Sequence, residues 1–237
     1  MSVAERDDNA PPPLSLWLSE LPYILPIILS PLRRVRPVMG VLPGAGQPVL
    51  VFPGILSSDN STALLRRTLD QAGFHSHPSH LGFVTGITPE TFAKADARLA
   101  DVAASEGRKV VLLGWSLGGI YARVLAQRHP ALVELVMTLG TPFSGDRRAN
   151  NAWRVYEAIN DHKVDASPLP DDPSVKPPVP TVALWSRNDG VIAPAAARGL
   201  PNERDADVEV PFRHFAMGSS RAAIDRIVAE LGQRLKN

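Results

Sequence analysis

The stretch Val110-Val-Leu-Leu-Gly-Trp-Ser-Leu-Gly-Gly119 decides the fold of this chain. Its apolar first half indicates a buried strand, Gly114 to Gly118 form a G-x-S-x-G turn, and a helical stretch follows from Ile120 to Gln127. Strand, turn and helix together are the context in which such a turn presents its serine as a nucleophile at the end of a sheet. The turn is strained, so glycines are needed two residues before and two residues after the serine. We therefore predict that Ser116 is a catalytic nucleophile, the alternative being an ordinary turn between a strand and a helix.

The composition suits one large α/β domain and excludes several classes of function. The chain has 237 residues, of which 44% are hydrophobic, so it is long enough to bury a substantial core. Its 25 basic and 24 acidic residues nearly cancel and form no basic stripe, which argues against nucleic acid as a partner. The chain contains no cysteine, so disulfides, thiolate metal sites and a cysteine nucleophile are excluded.

Residues 1–40 form a polar tail and an apolar segment that we predict to pack on or flank the main domain. The first ten residues are polar and acidic, unlike the basic start of a signal peptide, so we expect a cytoplasmic protein. From Leu14 to Leu32 the chain is apolar, but it contains Glu20 and three prolines, and each proline removes a helix hydrogen bond. The stretch therefore predicts short broken helices on the domain surface rather than a membrane-spanning helix. An interfacial anchor or a flap over the substrate is the alternative, and it would give weak association with a membrane surface through residues 14–36.

Residues 41–237 alternate strands with helices and are predicted to form the catalytic domain. Apolar runs that end in turns predict further strands at Pro48–Phe52, Leu132–Leu139, Pro180–Trp185 and Asp207–Val210, whereas His75 to Gly86 is predicted to be irregular. Capping residues predict helices that begin after Ser61, after Thr88 and after Ser219 or Ser220. This alternation predicts a doubly wound, mostly parallel sheet with helices on both faces. Residues 141–180 are too long for a simple connection and are predicted to form a small lid.

A serine nucleophile needs a base and an orienting carboxylate, and the chain offers both in the expected order. In a sheet of this kind the acid and the histidine follow the serine on loops after later strands. Asp189 stands in the first turn after the strand that ends at Trp185, and His214 follows the last predicted strand, directly before the final helix. Five other acids compete with Asp189, but none of them follows a strand end: Asp161, Asp165, Asp171, Asp172 and Asp205. We predict a triad of Ser116, Asp189 and His214.

Two backbone N–H groups are expected to bind the oxyanion of the reaction intermediate. One belongs to Leu117, directly after the nucleophile. The other should come from the turn after the first strand, where Gly54 lets the backbone turn inward, with Ile55 as the predicted donor and Leu56 as the alternative. The apolar side chains in this turn favour an apolar acyl group. The residues predicted to contact the substrate are Leu56, Trp115 and Phe143.

Three further motifs carry a resemblance to a known family. The stretch Gly118-Gly-Ile-Tyr-Ala-Arg123 is similar to the helix after the nucleophile in bacterial lipases, Leu139-Gly-Thr-Pro-Phe-Ser-Gly145 resembles their G-T-P-x-x-G turn, and Trp185-Ser-Arg-Asn-Asp-Gly-Val191 resembles their acid loop. From about Pro48 onward the chain thus resembles bacterial α/β-hydrolases of the lipase/esterase type. It departs from them at Pro53, where lipases have histidine, and in the interval after Gly145, which is short for a large mobile lid.

The residues and the resemblance together predict a serine hydrolase that cleaves small-molecule or lipid esters through an acyl-enzyme, with no metal or organic cofactor. His75, His77 and His80 are spaced H-x-H-x-x-H, but no acidic residue between Gln71 and Pro89 completes a local metal site. An acyltransferase, a thioesterase or a perhydrolase would use the same triad. A non-catalytic relative that acts as a binding protein is the alternative of another class, and the presence of all three triad candidates argues against it.

Overall fold

The computed structural model describes residues 7–36, 44–166 and 168–235. In chain order its strands are β1 (Pro48–Phe52), β2 (His75–Pro78), β3 (Val110–Trp115), β4 (Val133–Leu139), β5 (Thr181–Trp185) and β6 (Ala206–Glu209). They form one six-stranded sheet in the order β2-β1-β3-β4-β5-β6. Every neighbouring pair is parallel, so the predicted parallel sheet is confirmed.

Helices lie between these strands and at both ends of the described chain. They are α1 (Leu14–Leu18), α2 (Ile24–Ile28), α3 (Ala63–Gln71), α4 (Pro89–Glu106), α5 (Leu117–Arg128), α6 (Trp153–Ile159), α7 (Pro194–Arg198), α8 (His214–Ser219) and α9 (Arg221–Arg234). The predicted cap of α4 is confirmed, because Thr88 and Thr91 cap each other's backbone N–H groups. The Ser220 hydroxyl accepts a hydrogen bond from the N–H of Ala223 at 3.1 Å and so caps α9.

The sheet separates two apolar layers, one on each face. Val49 and Val51 of β1 pack in a cluster with α3 and α9, whereas Leu50 and Phe52 pack in a second cluster with α4 and α5. Successive side chains of a strand point to opposite faces, so a strand that is covered on both faces must be apolar throughout. This double burial explains why the sequence of the central strands is a continuous apolar run.

Two sequence predictions at the beginning of the sheet are wrong. His75–Pro78, predicted to be irregular, is the edge strand β2 and pairs only with β1. Its side chains are partly exposed, so it lacks the apolar run that marks a central strand. Ser61 does not cap α3, because the chain first makes a 3-10 turn over Asp59–Thr62, which the hydroxyl of Ser58 caps.

The segment of residues 14–36 consists of short helices, as predicted. α1 and α2 alternate with 3-10 turns at Leu21–Tyr23 and Ser30–Leu32. Within the described ranges, no helix has the length and apolar character needed to cross a membrane. The segment packs on α3, where the Ser30 hydroxyl accepts a hydrogen bond from the N–H of Leu64 at 2.9 Å. The predicted boundary between residues 40 and 41 lies outside the described residues.

The outward side of the 14–36 segment is apolar. Nine of the fifteen large hydrophobic side chains that are exposed in the described part of the chain lie between Leu14 and Leu32. Exposed apolar patches of this kind often mark interaction surfaces. Weak association with a membrane surface through this segment stays a prediction.

Candidate active site

The turn at Ser116 has the strained geometry that the G-x-S-x-G pattern predicts. Ser116 has φ 54° and ψ −124°, a conformation that L-residues rarely adopt, and α5 begins directly after it. A Cβ atom on Gly114 would lie 2.3 Å from Cα of Gly119, and a Cβ atom on Gly118 would lie 2.4 Å from the carbonyl oxygen of Phe52. Glycine is therefore required on both sides of the serine. The hydroxyl group of Ser116 stands at the carboxyl end of β3.

Asp189 and His214 form a buried hydrogen-bonded pair at the same end of the sheet. Nδ1 of His214 lies 2.8 Å from Oδ2 of Asp189, and each residue is only 1% exposed. The other carboxylate oxygen, Oδ1 of Asp189, accepts hydrogen bonds from the N–H groups of Val191 and Ile192, both at 2.7 Å. These backbone contacts fix the carboxylate in the orientation that faces the imidazole. His214 itself is the first residue of α8, a short helix in a stretch that was predicted to be a loop before the final helix.

Charges around His214 raise its pKa above the ordinary value of 6.5. Burial alone would lower the pKa, because the positive form loses its hydration. The negative charge of Asp189 and its hydrogen bond outweigh this effect, and the charge of Glu20 adds to them. The pair therefore stabilises the protonated imidazole that general-base catalysis would form.

Ser116, Asp189 and His214 follow β3, β5 and β6, and these strands lie with β4 in one continuous half of the sheet. The N–H group of Ser116 donates to the carbonyl of Leu139 at 2.8 Å, which ties the turn to the end of β4. The next residue, Gly140, has φ 53°, and a Cβ atom there would lie 3.0 Å from both Oδ2 of Asp189 and Nδ1 of His214. Ser116 Oγ and His214 Nε2 are not hydrogen-bonded to each other in this structure. Such contacts are often long in enzymes without substrate and tighten in the complex.

The backbone N–H groups of Ile55 and Leu117 meet no acceptor among the described residues, and both residues line the same cavity as Ser116. The N–H group of Leu56, the alternative donor, donates a hydrogen bond to the carbonyl of Val84 at 2.7 Å. This leaves Ile55 as the candidate from the turn after β1. Two free N–H groups near one nucleophile are the arrangement that an oxyanion hole requires.

A cavity of about 300 Å³ lies over Ser116 and is lined largely by apolar side chains. Its lining includes Ile120 and Val124 of α5, and Phe143, Tyr156 and Leu169 from the region predicted to be a lid. Of the residues predicted to contact a substrate, Phe143 lines this cavity.

The other two predicted contact residues, Leu56 and Trp115, do not line the cavity. Leu56 is 47% exposed at the surface. Trp115 is buried beneath His214, with ring centroids 5.7 Å apart, and its Nε1 donates to the His214 carbonyl at 3.2 Å. Trp115 thus supports the histidine from below.

Comparison with known proteins assigns the fold. No family model and no curated protein matches the sequence. A monoacylglycerol lipase from Paleococcus ferrophilus is similar in structure, with a TM-score of 0.56 and 14% identity over 81% of this chain and 95% of that chain. Carboxylesterase NP from Bacillus subtilis gives a TM-score of 0.51 and 16% identity over 83% of this chain and 86% of that chain. An α/β superfamily hydrolase from Oenococcus oeni PSU-1 gives 0.58 and 17% identity over 82% and 94% of the two chains.

The chain has the α/β-hydrolase fold. At these low identities the likeness concerns the fold alone, and the activities named are those of the other proteins. The α/β-hydrolase fold accounts for the placement of the nucleophile candidate after a central strand, with the acid and histidine candidates after later strands.

One residue beside the candidate triad could not be assigned a role from the sequence. Glu20 is 1% exposed, and its carboxylate accepts hydrogen bonds from the backbone N–H groups of Gly190, His214 and Phe215. In the sequence Glu20 stands out only as an interruption of an apolar stretch. A single acidic residue in such a stretch was the available signal, because an unpaired carboxylate would not be stable there.

Histidines away from this site have other contacts. His75 and His77 both lie within hydrogen-bonding distance of Glu106, at 3.3 and 2.9 Å. Across residues 7–36, 44–166 and 168–235, no group of three or more histidine and acidic side chains is arranged to hold a metal ion.

Proposed function

We propose that this α/β-hydrolase is a serine esterase that hydrolyses carboxylic esters with an apolar acyl group. The observation that carries the proposal is the buried Asp189–His214 pair at 2.8 Å, next to a serine in a strained turn. A buried carboxylate that orients a histidine has a clear use when the histidine must take and return a proton. The apolar cavity over Ser116 supports an apolar acyl group, because each buried methylene adds about 0.8 kcal/mol to binding.

The proposed reaction forms and breaks an acyl-enzyme. Ser116 Oγ attacks the ester carbonyl carbon while Nε2 of His214 takes the hydroxyl proton, and the N–H groups of Ile55 and Leu117 hold the oxyanion. His214 then gives its proton to the leaving alcohol, and the acyl group remains on Ser116. A water molecule attacks the acyl-enzyme with His214 again as base, which releases the carboxylic acid and restores the serine. Asp189 keeps the imidazole in the required tautomer and stabilises its positive form.

Hydrolysis of p-nitrophenyl esters tests this proposal. We expect activity on acetate and octanoate esters, with a higher kcat/KM for octanoate because the longer chain buries more apolar surface. Ser116→Ala and His214→Ala should each lower kcat by at least ~10³-fold. Ser116→Ala should also abolish covalent labelling by a fluorophosphonate.

Ser144 offers a matched control, because it is a second buried serine in the wall of the same cavity. Ser144→Ala should keep both the hydrolysis rate and the fluorophosphonate label. Wild-type rates in both Ser116→Ala and His214→Ala would contradict the assignment. Faster product formation with an added alcohol, together with the new ester, would instead favour an acyltransferase with the same triad.

A further inference from the structure

The carboxylate of Glu20 is buried between the two loops that carry the acid and the histidine. Its Oε1 accepts hydrogen bonds from the N–H groups of Gly190 and His214, both at 2.8 Å, and its Oε2 accepts one from the N–H of Phe215 at 2.9 Å. Glu20 is 1% exposed and follows α1 in the 14–36 segment. A charged group at this depth is stable only when it is well hydrogen-bonded, and three N–H donors meet that need.

The three donors belong to both loops of the candidate triad. Gly190 directly follows Asp189, whereas the other two donors are His214 itself and its neighbour Phe215. One carboxylate thus connects the loop after β5 to the loop after β6, and each connection is to a triad residue or to the residue beside it. No other side chain in the described ranges accepts hydrogen bonds from the backbones of both loops.

The 14–36 segment fits tightly against the acid loop. A Cβ atom on Gly190 would lie 2.4 Å from the carbonyl oxygen of Leu16 and 2.9 Å from Cγ of Glu20. Gly190 must therefore be a glycine for the segment to approach, and the close contact holds Glu20 at a fixed distance from Asp189. The loop and the segment are complementary in shape as well as in hydrogen bonding.

We propose that Glu20 is a positioning residue of the active site, which holds Asp189 and His214 in register through the backbone of both loops. Glu20 does not touch the substrate; it acts through the residues that do. This role rests on the proposed esterase function, in which the His214 imidazole must be held in a fixed orientation to accept the Ser116 proton. The segment of residues 14–36 is then a part of the active site rather than an appendage of the domain.

The charge of Glu20 has a second effect, on the protonation of His214. Burial lowers the pKa of His214, and two negative charges in the described chain raise it. The larger effect comes from Asp189 and the smaller from Glu20. Catalysis needs the neutral imidazole, so activity rises as the pH rises through this pKa. Removal of the Glu20 charge should lower the pKa and move the acid limb of the pH–rate profile to lower pH.

The substitution Glu20→Gln tests the proposal because it keeps the size of the side chain. A glutamine has only one acceptor oxygen, and its amide donors would face a backbone donor, so at least one of the three N–H groups loses its partner. An unpaired buried donor corresponds to roughly a 10- to 100-fold effect on the rate if its loss falls on the transition state. We expect a fall in kcat of that size, a KM within about threefold of the wild type, and an acid limb shifted to lower pH.

Glu209→Gln is the matched control, because it removes the same charge from the end of β6. The side chain of Glu209 is 48% exposed and pairs with Arg187 at 3.4 Å. Solvent screens such a charge, so kcat and the acid limb should stay at their wild-type values. Thermal unfolding of each variant separates a positioning effect from a loss of structure.

Three outcomes decide the proposal. A folded Glu20→Gln variant with wild-type kcat and an unmoved acid limb would overturn it. If the Glu20→Gln variant unfolds at the assay temperature, Glu20→Asp replaces it in the test. Aspartate keeps the negative charge but has a shorter side chain. A folded Glu20→Asp variant must then have a lower kcat and an acid limb at the wild-type pH. Wild-type kcat in Glu20→Asp would also overturn the proposal.

A titration of His214 separates this proposal from the esterase proposal. The imidazole signal of His214 can be followed by NMR with pH, whether or not the protein hydrolyses esters. If the wild type neither cleaves esters nor reacts with a fluorophosphonate, the esterase function fails. A lower His214 pKa in Glu20→Gln than in Glu209→Gln would still support the link between Glu20 and His214, and equal pKa values would refute it.

Discussion

At the residue scale, Gly140 sits where the acid, the histidine and the end of β4 meet. Its φ of 53° is left-handed, and the space for a side chain is taken by Asp189 and His214. Gly145, five residues on, has a similar φ of 68°, but a Cβ atom there would meet nothing within 4 Å. A comparison of the two glycines therefore separates the effect of backbone strain from the effect of contact with Asp189 and His214.

We expect Gly140→Ala and Gly145→Ala each to lower the free energy of unfolding by about 1–2 kcal/mol, because both place a Cβ atom in left-handed backbone, with a further loss in Gly140→Ala from the contact of its methyl group with Asp189 and His214. Only Gly140→Ala should also lower kcat for p-nitrophenyl octanoate, since its methyl group displaces the Asp189–His214 pair. Urea denaturation and steady-state kinetics measure the two effects. Equal kcat values in the two variants would show that the space around Gly140 is not critical for the pair.

Single residues differ in how far the sequence reveals them. The positions of Ser116, Asp189 and His214 after strand ends could be predicted, because the ends of parallel strands meet at one edge of a sheet, and their catalytic roles stay predictions. Glu20 could not be given a role, because its partners are backbone N–H groups 170 to 195 residues away and leave no local pattern. Trp115 was predicted to contact substrate because it directly precedes Ser116. Its side chain instead lies beneath His214, in the apolar cluster with α3 and α9.

At the scale of elements, α5 connects the nucleophile turn to the predicted lid region through a buried arginine. Arg123 is 0% exposed, and its guanidinium donates to the carbonyls of Pro173, Ser174 and Glu203. Burial lowers the pKa of Arg123 to about 10, although the charges of Glu203 and Asp172 act to raise it. The arginine therefore remains charged at neutral pH and fixes the end of residues 141–180 against the helix.

Arg123→Met should lower the free energy of unfolding by roughly 3 kcal/mol, because methionine fills the space but leaves the carbonyls without donors. Arg128→Met is the matched control on the same helix. The side chain of Arg128 is 30% exposed and pairs with Asp171 and Asp96, so its loss should cost less than about 1 kcal/mol. Urea denaturation measures both, and equal losses would contradict the role given to Arg123.

Among the strands, the edge strand β2 could not be predicted from the sequence. Central strands were found to within two residues at each end, because both their faces are buried and their sequence is mostly apolar. β2 pairs only with β1, and its sequence is His75-Ser-His-Pro78. Its pairing depends on backbone hydrogen bonds, which cannot be predicted from a pattern of side chains. The short helix α8 was also missed. It has only six residues, and a single residue separates it from α9.

At the scale of the whole molecule, the 14–36 segment and the sheet domain form one packed unit. Besides Glu20, the segment supplies the carbonyls of Ser30 and Arg33, to which the guanidinium of Arg67 on α3 donates at 2.7 and 2.8 Å. The sequence predicted that this segment packs on the domain, but its contact with the candidate triad follows only from the folded structure.

A chain that lacks residues 1–36 should lose ester hydrolysis at least as completely as Glu20→Gln and should unfold at a lower temperature. The reason is that the truncation removes the Glu20 carboxylate together with the contacts to α3. A chain that lacks only residues 1–6 is the control and should behave as the wild type. Activity assays and thermal unfolding monitored by circular dichroism measure the outcome, and full activity of the shorter chain would contradict the prediction.

The contact of Glu20 with His214 spans 194 residues, and this has a consequence for synthesis. A growing chain presents the 14–36 segment and Ser116 well before the residues that bind Glu20 have been made. Until then the segment has its contacts with α3 but not those with the loops after β5 and β6, and transiently exposed apolar surface favours aggregation. We therefore expect the candidate triad and its contact with Glu20 to assemble only after residues 214 and 215 have been made.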